Sequence, residues 1–354
     1  MPPPRSQRGA AALLATLMLF LAMALGALAL KRSLGIEQHH ASAQLRATQA
    51  FEAAEAGLAW AQVQLNSPQA IDARCEPSAQ PSAVPFRTRA LDIDATSGAV
   101  VIHPLQAACL RGAAGWSCSC VAAGPLVLPA PDDDAVAPAF GVSLLAGGAP
   151  GRIRLVAQGC SPLGSACAPG STATAEATAT TSVTLALFGS LRTPPSTALT
   201  SRDATQQTED QFFAGFFGLD KATWRDQTVV AGVACHADCG GALTEATARG
   251  QSLVAVDGDV SLRGPLTLGS AAHPVALVVE GALRLDGPVA IVGVVYANAI
   301  MIGAPGATVL GAALTEGGYA GPSAPGFRLD AGVLAVLRQQ AGSFVRVDGS
   351  WRDF

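Results

Sequence analysis

Lysine is almost missing from this chain: Lys31 and Lys221 are the only two in 354 residues, and neither follows a glycine. A Walker-type phosphate loop needs Gly-Lys, so that route to nucleotide binding is excluded. Charge of any kind is scarce at 14%, and 22 basic against 26 acidic side chains leave a net of −4. A nucleic-acid partner favours a clustered basic face, which this balance argues against. Aromatics make up 5%, with two tyrosines, which is thin for a sugar-stacking platform. No Gly-x-Ser-x-Gly nucleophile motif occurs. The five histidines (His39, His40, His103, His236, His273) are scattered. What the chain does have is glycine, alanine and threonine in a strand-and-turn composition, eight cysteines, and one long apolar run.

That run is Ala10–Leu30, 21 residues without a charge and with Thr16 as the one polar side chain. As a helix it is roughly 32 Å long, enough to cross a hydrocarbon core. Arg5 and Arg8 precede it and Lys31-Arg32 follow, so flanking charge does not set an orientation. Apolar residues then recur at Phe51, Ala54, Leu58, Ala61 and Leu65, one face of a helix. Asn66-Ser67-Pro68 stops it, because a proline disfavours helical geometry in the residue before it. The expectation is one helix over 10–66, apolar all round at first and amphipathic later. A cleaved secretory signal ending at Ala27-Leu28-Ala29 and an uncleaved anchor are the alternatives.

The stretch QRGAAALLATLMLFLAMALGALAL followed by ATQAFEAAEAGLAWAQ resembles the N-terminal region of PilX-type minor pilins of type IV pilus systems. The resemblance covers roughly residues 5–65. It implies cleavage between Gly9 and Ala10, after Arg8-Gly9, by a prepilin peptidase, with N-methylation of Ala10. It also implies a minor pilin that helps initiate assembly or sits at a filament tip. Its partners would be other minor pilins, the major pilin, a tip adhesin and the peptidase, with no nucleic acid. The location implied is a single pass of the inner membrane with the rest in the periplasm, then the pilus. No enzyme activity, cofactor or metal is expected. Major pilins usually begin with Phe and carry Glu at the fifth mature position; here those positions are Ala10 and Leu14. A buried carboxylate must be paired, so a subunit lacking it suits the first position of a filament. A secretion-system pseudopilin would share this anchor.

All eight cysteines follow the apolar run: Cys75, Cys109, Cys118, Cys120, Cys160, Cys167, Cys235 and Cys239. An even number suits disulfides in an oxidising compartment. Short loops favour Cys160–Cys167 and Cys235–Cys239. The first four leave three connectivities open, with Cys118 and Cys120 each pairing to Cys75 or Cys109 in preference to a tight Cys118–Cys120 ring. Zinc at Cys235-His236-Ala237-Asp238-Cys239 and calcium at Asp132-Asp133-Asp134 are the weaker metal readings, since neither has a full ligand set.

After a linker over 68–95, strands are expected at 99–103, 141–145, 152–158 and 178–188, the last three as an antiparallel meander. Thr208 and Gln211 form a capping box ahead of Phe212, Phe213, Phe216 and Phe217, with Gly218 as the stop. That aromatic helix reads as a plug between two units. VDGDVSLRGPLTL (256–268) and VEGALRLDGPVAI (279–291) repeat at an offset of 23, with a looser third copy after them. Short glycine-punctuated strands at that spacing predict a β-solenoid of two to three rungs. Asp257, Asp259, Arg263, Glu280, Arg284 and Asp286 are its candidate site residues, read either as a polysaccharide-active face or as surface charge at turns. A membrane-anchored module that binds carbohydrate is the remaining alternative. The fold class expected is α+β: a long N-terminal pilin-like helix, membrane-spanning in its first half, packed on an antiparallel sheet and followed by a short C-terminal β-solenoid. The divisions expected are 1–9 leader, 10–67 helix, 68–200 β domain and 201–354 solenoid with capping helices.

Overall fold

The computed structural model describes residues 8–80, 82–122, 137–161, 177–235, 237–322 and 326–353, without the side chains of 8–12 and 28–36. Helix α1 (Arg8–Asn66) runs for 59 residues, roughly 88 Å at 1.5 Å per residue. Its first half does not meet the expectation of a membrane span: among the described residues no helix is long and apolar enough to cross a membrane. The expected fold class is corrected accordingly to a mixed α/β chain dominated by strands. The single-pass inner-membrane location is corrected in the same way. The disulfides among the described residues remain as the indication of compartment, and they argue for an oxidising one.

Past α1 come a short pair β1 (Ala70–Ile71) and β2 (Val84–Pro85), the turn of helix α2 (Phe86–Ala90), and a hairpin β3 (Leu91–Ile93) and β4 (Val100–Ile102). Strands β5 (Gln106–Gly112), β6 (Gly115–Val121), β7 (Ala139–Ala146), β8 (Arg152–Ser161) and β9 (Ala177–Gly189) then build an antiparallel sheet. Alternation along β8 puts Ile153, Leu155 and Ala157 on the face that meets α1. The helix answers with Ala50, Ala53, Ala54, Leu58, Ala61 and Leu65, all buried. Small residues dominate because the two backbones nearly touch. A Cβ at Gly159 would lie 1.9 Å from the Ala50 carbonyl oxygen, and one at Gly57 would lie 3.0 Å from the Phe140 ring. Phe51, expected on the buried face, sits at its edge, 37% exposed, with its ring edge-on to Trp351 at 6.4 Å.

Beyond β9 the chain forms β10 (Leu199–Ser201), helix α3 (Glu209–Phe217) and helix α4 (Lys221–Arg225). Then follow β11 (Ala231–Val233), β12 (Ala237–Asp238), α5 (Gly240–Ala248), β13 (Leu253–Val256), β14 (Val260–Arg263), β15 (Leu266–Leu268), β16 (Val275–Asp286), β17 (Val289–Ala304), β18 (Thr308–Thr315), β19 (Tyr319–Ala320) and β20 (Gly326–Leu329). Every pairing among these strands is parallel. They stack as a three-faced solenoid around Val254, Val256, Leu262, Leu277, Leu283, Ile291 and Val309. Register pairs Val254 with Leu277, 23 positions on, and Leu277 with Val295, 18 positions on. One face carries five successive rungs (β11, β13, β16, β17, β18), with β10 laid beside β18. That exceeds the two to three rungs expected, because the offset between rungs shortens from 23 to 18 residues after β16.

The same face is buried on its outside too. Leu253, Ala255, Ala276, Val278, Val294, Tyr296, Ala312 and Leu314 are covered by Phe212, Phe213 and Phe217 of α3, Trp224 of α4, and Leu334 and Leu337 of helix α6 (Ala331–Gln340). Helix α3 opens on the reciprocal Thr208/Gln211 box and closes on left-handed Gly218. The tail then leaves the solenoid. Strand β21 (Gly342–Arg346) pairs antiparallel with β9, and β22 (Arg352–Asp353) pairs further along it. Asn66, at the end of α1, fixes this return: its amide nitrogen donates to the Phe344 carbonyl at 2.9 Å and its amide oxygen accepts from the Phe344 N–H at 2.7 Å. The half-buried Arg87 guanidinium stands over the Phe344 ring and donates to the carbonyls of Gly342 and Gln340. That burial pulls its pKa down to about 10.

Asn66→Ala would strand both backbone groups of Phe344 in a dry site, at about 1–3 kcal/mol for each buried unpaired group. The expected result is a loss of about 2–5 kcal/mol, read from the urea midpoint, with β21 becoming the fastest-exchanging strand of its sheet.

Candidate functional site

Two places carry features that packing alone does not require. The first is the N-terminal part of α1. Leu13, Leu14, Leu17, Met18, Phe20, Leu21, Met23 and Leu25 are all more than half exposed, Phe20 at 74%. Thr16, the polar exception, turns its hydroxyl back onto the Leu13 carbonyl at 2.9 Å, so the stretch offers no side-chain donor to its surroundings. A contiguous apolar surface of this kind marks an interaction face. Arg8, Gly9 and Ala10 form the first turn of this helix, their side chains lying outside the description. Leu14 is 63% exposed.

The second is a corner of the solenoid. Register aligns Val256 with Val279, Val279 with Ala297, and Ala297 with Thr315. The residues one step further, Asp257, Glu280, Asn298 and Glu316, therefore form a polar column on successive rungs, about 4.8 Å apart. Helix α4 lies over the column. Asp220 caps that helix by accepting from the Thr223 N–H at 2.9 Å and the Thr223 hydroxyl at 2.7 Å, which holds its carboxyl below the usual carboxylate range. Lys221 and Arg225, four residues apart, share one helix face. Arg225 bridges Glu280 at 2.6 Å and Asp257 at 2.9 Å, and the hydrogen bond to Glu280 raises its pKa. Lys221 donates to Glu316 Oε1 at 2.6 Å and stands over the Tyr296 ring at 5.3 Å. The Tyr296 hydroxyl donates to the same oxygen. Burial, the bond to Glu316 and its negative charge push the tyrosine well above its ordinary value.

The six charged residues singled out in the repeat divide between neutralised pairs and turn contacts. Asp257 and Glu280 do stack, but Arg225 lies across both. Asp259 accepts the Ala282 N–H at 2.8 Å. Arg284 pairs with Asp286 at 2.8 Å, and Arg263 lies in register beside Asp286. The structure thus ties these carboxylates to cations or backbone and does not converge them on an open cleft. Lys221, Asn298 and Glu316 had no local sequence signal; only the register of distant rungs brings them together. A separate cavity of about 380 Å³ opens between the two sheets, with Leu65, Ile93, Val229 and Leu337 among its walls.

Three disulfides join described residues: Cys75–Cys120, Cys109–Cys118 and Cys235–Cys239. Cys109 and Cys118 face each other across β5 and β6, which settles the choice among the first four cysteines. Cys160 is disulfide-bonded; Cys167, its expected partner, lies outside the described residues, as do His236 and Asp132-Asp133-Asp134. Cys235 and Cys239, bonded to each other, present no thiolate pair to a metal. No family model, curated protein or solved structure matches the chain.

Removing one partner of a buried ion pair strands the other. Lys221→Met leaves Glu316, with a side chain 3% exposed, and is expected to cost about 3–5 kcal/mol. Arg225→Met loosens carboxylates that are 32% and 67% exposed and is expected to cost about 1 kcal/mol or less. Urea midpoints of the two variants, measured side by side, test that order.

Proposed function

We propose that this chain is a PilX-type minor pilin, a non-catalytic subunit of a type IV filament system that helps initiate assembly. It would be trimmed between Gly9 and Ala10 by a prepilin peptidase and pack its apolar helix stretch against the helices of neighbouring subunits. Other minor pilins, the major pilin and a tip adhesin are the partners this reading implies. One observation carries it. A single helix is buried on its own sheet from Ala50 to Leu65, yet presents exposed leucines, methionines and a phenylalanine from Leu13 to Leu25. A helix held rigidly at one end and bare at the other is built to be completed by something outside the chain. Helices of like character satisfy it through close apolar packing. The bridged carboxylates of the solenoid support a structural role over a catalytic one.

N-terminal sequencing of the chain from cells with an active prepilin peptidase is expected to begin at an N-methylated Ala10. A chain that still begins at Met1 there would remove the assignment. A double variant, Leu17→Asp with Leu21→Asp, places two carboxylates in the proposed contact. Each costs several kcal/mol to bury, so recovery in sheared filaments should drop at least about tenfold, while the urea midpoint of the two sheets stays put.

A further inference from the structure

Asn298 is the exception in the corner column. Its neighbours along the rungs, Asp257, Glu280 and Glu316, are carboxylates bonded to cations of α4. Asn298 Oδ1 is buried and has no hydrogen-bond partner. A buried polar atom left unpaired is costly, and each such case requires an explanation. It stands one rung from Glu316: the Glu316 N–H donates to the Ala297 carbonyl at 3.2 Å and the Gly317 N–H donates to that of Asn298 at 2.6 Å. Lys221, whose Nζ lies 2.6 Å from Glu316, lines the same groove as Asn298. Phe213 and Phe212 close around Tyr296 at 4.8 and 6.2 Å between ring centres, so apolar groups wall one side of the cluster. Lys221 is also the one lysine outside α1. An arginine would hold the ion pair as well or better; what lysine adds is an amine that becomes a nucleophile once it loses its proton.

We propose that Lys221 and Asn298 react to form an intramolecular amide cross-link, with Glu316 shuttling the proton. The Glu316 carboxylate takes a proton from the Lys221 ammonium. The freed amine attacks Asn298 Cγ and forms the new Nζ–Cγ bond. Glu316 passes its proton to Asn298 Nδ2 as the Cγ–Nδ2 bond breaks, and takes up the second proton from the new amide nitrogen. Ammonia leaves, picks up that proton as ammonium, and Glu316 ends as it began. No oxidant, reductant or further reactant is consumed. Tyr296, hydrogen-bonded to Glu316, is a positioning residue. The bond would fasten α4 covalently to the fourth rung and make the cover of the solenoid face permanent. This step is independent of the filament assignment.

Intact mass of the purified full chain, reduced and denatured, decides it. The expected mass lies about 17 Da below that calculated for the same span of residues with its own N-terminus, the loss of one ammonia. Digestion should yield one branched peptide joining Lys221 to Asn298. Lys221→Arg should restore the full mass, after allowing for the substitution itself, and abolish the branch. A wild-type chain at full sequence mass overturns the proposal. So does a loss of about 17 Da that persists in Lys221→Arg, which would be ring closure of Asn298 alone. Glu316→Gln is expected to keep its circular dichroism and stay uncross-linked; a folded Glu316→Gln chain that cross-links as fully as wild type overturns the shuttle. If that variant does not fold, the comparison of wild type with Lys221→Arg decides alone.

Discussion

The closeness of α1 to β8 sets the terms for the first half of the molecule. With no side chain at Gly159, the strand comes against the helix backbone between Ala50 and Ala54, and nothing larger than alanine fits at those helix positions. The larger residues, Leu58, Leu65 and Phe140, fill the space to one side, while Trp60 and Phe86 close it with rings 5.5 Å apart. Everything that decorates this sheet depends on that seating. The Cys75–Cys120 bond ties the loop after the helix to β6, and a disulfide closing a loop of that size contributes about 4 kcal/mol in the chain-entropy picture. The C-terminal tail folds back along the helix, with Arg346 reaching Gln62 and Trp351 reaching Glu55.

The solenoid solves a different problem. A parallel stack must have its faces covered, and one face here is greasy on both sides. Helices α3, α4 and α6 supply the cover, and the charged corner keeps α4 in position over it. Aromatic packing provides the bulk of that attachment, with Trp224, Phe213 and Phe217 fully buried. The ion pairs contribute orientation, since the exposed ones are worth little on their own.

Local chemistry was legible in the sequence. The stop at Asn66, the meander of β7 to β9, the capping box on α3 and the 23-residue offset each rest on residues near one another in the chain, and the structure uses them at those positions. What escaped was long-range. The tail strand has no local mark showing that it pairs with β9 and not with the solenoid. The later rungs repeat at 18 residues in place of 23, and the shortened period hid them. Asn298 and Glu316 look like ordinary loop polars until the register puts them in one column. The apolar run was readable as a feature, but among the described residues no helix is long and apolar enough to cross a membrane.

The return of the tail has an implication for biosynthesis. Ser190 and Ala341 are hydrogen-bonded to each other at 2.9 Å, and Gly189 pairs with Gly342, so everything between them is an insertion that leaves and re-enters at a single point. The ribosome must therefore make the whole inserted solenoid, roughly 150 residues or about 8–30 seconds of synthesis, before β21 can seal the free edge of β9. Until then that edge is open to any passing strand.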